Sequence, residues 1–220
     1  MAVLASLGVN FDCSNTNEIR TILEMGVHPD RIIYAHTMKS TSHMKFAEER
    51  GITLMTFDCI EELHKVKDKK ARLLLRIKTE DEGCKLLFNN KFGCSVDDAR
   101  HILKSALDLN CNVIGVTFHV GSFHEHPEIF CRAIERARIV FDIAADIGKP
   151  MMMLDLGGGF PGALRGDHKF IRPVSASSGQ SISTFRNQAE CRSLRSQASS
   201  SVNLLTSSFC GSLARDAVTW

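Results

Sequence analysis

The chain has 220 residues, 27 basic and 25 acidic, for a net charge of +2, with 44% hydrophobic and 24% charged residues. That balance suits a globular chain with a buried core. It excludes a wholly disordered protein and gives no global argument for nucleic acid or membrane partners. The eight cysteines are scattered singly with no Cys-x-x-Cys pair, which argues against a zinc knuckle or a dense disulfide framework and for reduced thiols in the cytoplasm.

Short apolar segments alternate with helical patterns through about residue 162. Strands are predicted at Val9–Cys13, Arg31–Ala35, Ile52–Phe57, Arg72–Ile77, Asn112–His119 and Met151–Leu156. A helix over Glu18–Leu23 stops at Gly26 and Pro29, and one over Lys45–Glu49 stops at Gly51. Ile60–Lys67 carries Ile60, Leu63 and Val66 near one face. Ser95 opens a helix whose stripe is Ile102, Leu103, Ala106 and Leu107, and Pro127–Ile147 is the longest helical pattern. Six βα units imply an α/β fold with a parallel sheet. Both a doubly wound sheet and a partial (β/α)8 barrel fit, six strands being too few to close the barrel.

Beyond Gly162 the pattern stops. Residues 171–220 contain thirteen Ser, five Arg, no Lys and two acids. The expected organisation is therefore a partial barrel over 1–165 and a Ser/Arg-rich tail of low order over 166–220.

In parallel α/β folds the chemistry gathers at the carboxyl ends of strands. Those ends supply Asp12, Arg76, the His119-Val120-Gly121-Ser122 segment and the run Gly157-Gly158-Gly159. Glycines directly after an apolar strand let the backbone approach a ligand and aim N–H groups at an anion, for which phosphate is the natural guest. Ser122 adds a hydroxyl donor. Gly157-x-Gly159-x-x-Gly162 also matches the dinucleotide fingerprint, but Pro161 sits where the helix should begin. Each residue also has a structural explanation: His119 as a core histidine, Arg76 as an ion-pair partner of Asp12 or Glu80, and Asp12 as a helix cap near Ser14.

At these residues the chain resembles eukaryotic ornithine decarboxylase and its pyridoxal-phosphate-dependent relatives that act on ornithine, arginine and diaminopimelate. The matching stretches are LGVNFDCSNTNEI, RIIYAHTMKS, MTFDCIEEL, LLLRIKTED, NKFG, VIGVTFHVGS, ARIVFDIAADIG and LDLGGGFPG. The resemblance implies a TIM-type barrel that binds pyridoxal 5'-phosphate. On that basis His119 stacks on the cofactor ring, Ser122, Gly158 and Gly159 face its phosphate, and Asp12 and Arg76 line it. Lys91 would lie near a homodimer interface. The resemblance also places the Schiff-base lysine in a strand ahead of Met1, and the catalytic cysteine and substrate aspartates in a C-terminal β domain. The sequence is accordingly expected to be a fragment, inactive by itself, with no catalytic residue of its own. The implied activity is decarboxylation of ornithine to putrescine in polyamine biosynthesis. The alternative is a non-catalytic antizyme-inhibitor-like protein. Retention of Asp12, Arg76 and the HVGS motif favours descent from an enzyme. Residues Lys39–Glu62 align with the family's antizyme-binding element and offer Lys39, His43, Lys45 and Arg50, although His36-Thr37-Met38 replaces the family's Asn-Pro-Cys just before it.

Overall fold

In a computed structural model, the structure describes residues 1–68, 70–79, 91–121, 128–159 and 203–205. Helix α1 (Ala2–Ser6) leads into strand β1 (Phe11–Cys13). There follow α2 (Thr16–Glu24), β2 (Ile32–Tyr34), α3 (Thr41–Glu48), β3 (Leu54–Phe57), α4 (Ile60–Leu63) and β4 (Arg72–Arg76). Then come α5 (Val96–Asp108), β5 (Asn112–Thr117), α6 (Glu128–Asp146), β6 (Met153–Asp155) and β7 (Asn203–Leu205). No helix among the described residues is long and apolar enough to cross a membrane.

The strands form one parallel sheet in strict sequential order, β1 to β7. A doubly wound sheet needs a point where the strand order reverses, and these seven strands have none. Sequential order is the barrel pattern, so the architecture is an α/β half-barrel. β7 lies within the Ser-rich segment expected to lack regular structure. It pairs with β6 through Met153–Asn203, Leu154–Leu204 and Asp155–Leu205.

Side chains alternate across the strands, and the burial pattern follows that period. Phe11, Cys13, Ile32, Tyr34, Met55, Phe57, Leu73, Leu75, Val116 and Leu154 join the large core beneath the helices. The intervening Ile33, Leu54 and Leu74 form a second, small cluster with Ala35, Ile114 and Met153 on the concave face. Among the described residues three α-helix starts are capped by side chains, two of them by serines: Ser40 accepts the His43 amide and Ser95 accepts the Asp98 amide. At α2 the cap is Asn15, which accepts from Asn17 and Glu18, so Asp12 is not the cap the sequence suggested.

One irregularity sets the phase of the site. The β4–β5 register jumps between Leu73–Val113 and Leu74–Gly115, leaving Ile114 as an extra residue. A Cβ on Gly115 would lie 2.1 Å from the Met153 carbonyl oxygen, so glycine is required there. After the bulge Thr117 pairs with Arg76 on one side and Asp155 on the other. These three residues therefore share one face of the sheet.

Candidate functional site at the strand ends

The concave face carries its charged groups at the carboxyl ends of the strands. Asp12 alternates with Phe11 and Cys13, whose side chains lie under the helices, so it projects into the concavity. Arg76 ends β4 opposite it. In a flat sheet three strand spacings would separate these strands by roughly 14 Å. Curling of the sheet brings the groups into each other's field. Burial lowers the Arg76 pKa, and Asp12, Asp155 and Asp58 oppose that shift in this order. Arg76 does meet Asp12 electrostatically, as one reading of the sequence had it. Glu80, its other suggested partner, lies outside the described residues.

Phe92 completes the Arg76 surroundings. The guanidinium carbon lies 5.0 Å from the Phe92 ring centroid, a distance at which the ring quadrupole attracts a cation. The His36 ring meets Phe92 edge-on at 5.7 Å. Gly93, with φ of 91°, donates its amide to Asp58 Oδ2 at 2.8 Å and so fixes the turn that presents Phe92. The sequence reading had singled out neither Asp58 nor Phe92. The signal was available in Asp58, an acid directly after an apolar strand.

His119 lies two residues beyond Thr117 and just past the end of β5. Its Nδ1 accepts the Gly121 amide at 2.9 Å, which places the proton of the neutral ring on Nε2. Thr79 Oγ1 donates to the His119 carbonyl at 3.3 Å. The glycine run packs directly against this segment. A Cβ on Gly157 (φ +62°) would sit 2.2 Å from the Phe118 carbonyl oxygen and 3.1 Å from His119 Cβ. A Cβ on Gly159 (φ +93°) would sit 2.2 Å from the Gly121 carbonyl oxygen. Only glycine allows this approach, and the φ values exclude most other residues independently.

The Gly157 amide is used internally, by Asp155 Oδ1 at 2.9 Å. The Gly158 and Gly159 amides make no hydrogen bond to any described residue. Of the residues singled out in the sequence, Asp12, Arg76, His119, Gly158 and Gly159 thus lie along the strand ends of one sheet. Ser122 lies outside the described residues, as does Gly162.

Asp155 was also missed as a site residue. It is 1% exposed, and Thr117 Oγ1 donates to its Oδ2 at 2.8 Å. Burial pushes its carboxyl up to about 6, opposed by the Gly157 amide, the Thr117 hydroxyl and the Arg76 charge. A charged residue inside the apolar run Met151–Leu156 was the available signal.

The Lys39–Glu62 element requires a correction. Lys39, one of the four side chains that the resemblance offers to antizyme, is only 3% exposed, and Glu62 is buried with it. Lys39 Nζ lies 3.1 Å from Glu62 Oε2 and donates to the Thr56 carbonyl at 2.6 Å and the His36 carbonyl at 3.0 Å. It staples the β2–α3 loop to the end of β3. His43, Lys45 and Arg50 are exposed.

The chain matches the family model "Pyridoxal-dependent decarboxylase, pyridoxal binding domain" over residues 1–189. It is 44% identical over 165 residues to ornithine decarboxylase of Rattus norvegicus, covering 74% of this chain and 36% of that protein. It is 43% identical over 162 residues to antizyme inhibitor 2 of Xenopus laevis, covering 73% of this chain and 36% of that protein. The chain thus spans about a third of the length of the curated relatives it matches. Among solved structures, arginine decarboxylase of Paramecium bursaria Chlorella virus superposes with a TM-score of 0.81 at 31% identity, covering 94% of this chain and 52% of that one.

The cofactor of this family is pyridoxal phosphate. The residues present fit such a group. Two glycine amides with no partner among the described residues stand beside an imidazole, on a face that also carries an arginine and three carboxylates, and the Gly157 and Gly159 positions leave no room for side chains. Its motifs, its half-barrel and these likenesses agree, and the chain belongs to the pyridoxal-dependent decarboxylase family, within its pyridoxal binding domain.

Proposed function

We propose that this chain is the cofactor-holding portion of an ornithine decarboxylase-type protein, acting in putrescine formation from L-ornithine. His119 presents its ring to one face of the cofactor. Gly158 and Gly159 donate amide hydrogen bonds to the phosphate, with Ser122 adding a hydroxyl. Asp12 and Arg76 line the concavity and set the local charge. Pyridoxal phosphate, when bound, supplies a conjugated ring that takes up the electron pair left as carbon dioxide departs. The observation that carries this reading is the pair of amides at Gly158 and Gly159 without a partner among the described residues, packed through the Gly121 carbonyl against the His119 segment. Equilibrium dialysis tests it. Pyridoxal phosphate should bind at least about tenfold more tightly than pyridoxal, because two charge-assisted hydrogen bonds are made to the phosphate. Equal binding of the two would contradict the reading. Carbon dioxide release from L-ornithine, compared with L-lysine and L-arginine, tests the activity in a protein that joins this portion to the Schiff-base lysine and C-terminal β domain that the resemblance implies.

A second reading, a non-catalytic regulator that binds antizyme, draws on the 43% identity to antizyme inhibitor 2 and on the exposed side of α3. There Arg50 stacks 3.6 Å over Phe46, with Arg20 at 5.5 Å from the same ring. Loss of antizyme capture in Lys45→Glu/Arg50→Glu, with capture by the unaltered chain, would support it. Homodimerisation, also drawn from the family resemblance, is tested by sedimentation. A cytoplasmic setting fits the free thiols of Cys13, Cys59, Cys94, Cys111 and Cys131.

A further inference from the structure

Asp155 is bound to its surroundings at three points. Its Oδ1 accepts the Gly157 amide at 2.9 Å, its Oδ2 accepts the Thr117 hydroxyl at 2.8 Å, and its main-chain oxygen accepts the Phe118 amide at 3.2 Å. The first contact fixes the start of the glycine turn. The other two fix the end of β5, one and two residues before His119. A single residue therefore ties together the two segments that flank the proposed ligand.

The carboxylate also decides which amides face outward. It draws the Gly157 N–H back toward β6, where Gly157 is buried. The next two amides, of half-buried Gly158 and Gly159, meet no partner among the described residues. An acceptor is needed on the arm toward Gly157, whose amide can only donate, while the other oxygen takes the Thr117 hydroxyl. Arg76, on the strand beyond Thr117, offsets the charge.

We propose that Asp155 is a positioning residue that sets the spacing between the His119 imidazole and the phosphate-facing amides of Gly158 and Gly159. This rests on the reading that pyridoxal phosphate occupies the strand ends, and it adds a residue that does not itself touch the ligand.

The test measures binding of pyridoxal phosphate and of pyridoxal to the unaltered chain, Asp155→Ala and Asp155→Asn, with thermal melting of each. In Asp155→Ala the preference for the phosphorylated ligand should fall about tenfold, as expected for losing the order of a charge-assisted contact. Asp155→Asn should stay within about threefold of the unaltered chain, since its oxygen still accepts from Gly157 and its amide can donate to a rotated Thr117 hydroxyl. A folded Asp155→Ala that keeps the full preference overturns the role of Asp155 and leaves the binding reading intact. An unaltered chain with no preference overturns that reading and the proposal with it. Should Asp155→Ala not fold, amide NMR of the unaltered chain decides. Titration with inorganic phosphate should move the Gly158 and Gly159 resonances and leave Gly157 in place. Movement of Gly157 with phosphate would overturn the proposal.

Discussion

Lys39 Nζ lies 3.1 Å from Glu62 Oε2, and both side chains are 2% exposed. Lys65 closes the group from the turn after α4, pairing with Glu62 and donating to the Lys39 carbonyl at 3.0 Å. Burial lowers the Lys39 pKa and Glu62 opposes that shift, as expected for an ion pair taken out of water. Truncating Lys39 leaves a buried carboxylate with Lys65 as its cation. Lys39→Met should cost about 3 kcal/mol of stability in urea unfolding, and Lys39→Met/Glu62→Leu should recover most of it. A cost below about 0.5 kcal/mol would show the pair to be solvated.

Gly159 and Gly148 allow a clean comparison. Both have positive φ, +93° and +79°, but a Cβ at Gly148 meets nothing within 4 Å while one at Gly159 collides with the Gly121 carbonyl at 2.2 Å. Gly148→Ala should cost about 1 kcal/mol, the conformational penalty alone. Gly159→Ala should cost clearly more and abolish preference for pyridoxal phosphate over pyridoxal. Chemical denaturation and dialysis check the two halves of this statement.

His119 is assigned to a ring face, so its shape matters more than its charge. His119→Ala should weaken pyridoxal phosphate binding about three- to tenfold, the range of an aromatic stacking contact, and His119→Phe should restore most of it. Unchanged dialysis constants for His119→Ala would remove the stacking role.

Asp155 gives a pH signature. Its folded pKa, about 6, lies above the ordinary 3.8 because burial disfavours the anion. Between these values the folded state holds a proton that the unfolded state has released. The Asp155 contribution is therefore fully present below pH 4 and is lost as pH rises through about 6, a change of about 3 kcal/mol. Stability measured against pH should fall less steeply across that window in Asp155→Asn than in the unaltered chain.

The six leading strands were legible because buried parallel strands are short apolar runs, and Ser95 announced its helix directly. Three things were not. The β5 bulge at Ile114 leaves no mark on hydropathy, yet it turns Thr117 toward Asp155. Lys39 beside a Ser-rich helix start reads as a surface cation, because the carboxylate that buries it lies 23 residues further on. β7 spans three residues amid serines, too short for any period to register. The glycine run was the strongest sequence signal of the site, since both Gly157 and Gly159 combine positive φ with a backbone approach that no side chain allows. Asp155 went unassigned because its role depends on a cross-strand hydroxyl.

The account is tested most directly by a crystal structure of the chain soaked with pyridoxal phosphate. It predicts phosphate density against the Gly158 and Gly159 amides and ring density over the His119 imidazole, with Gly157 still bonded to Asp155. Density bound on the helix-covered side of the sheet, or phosphate seated away from the glycine run, would contradict it.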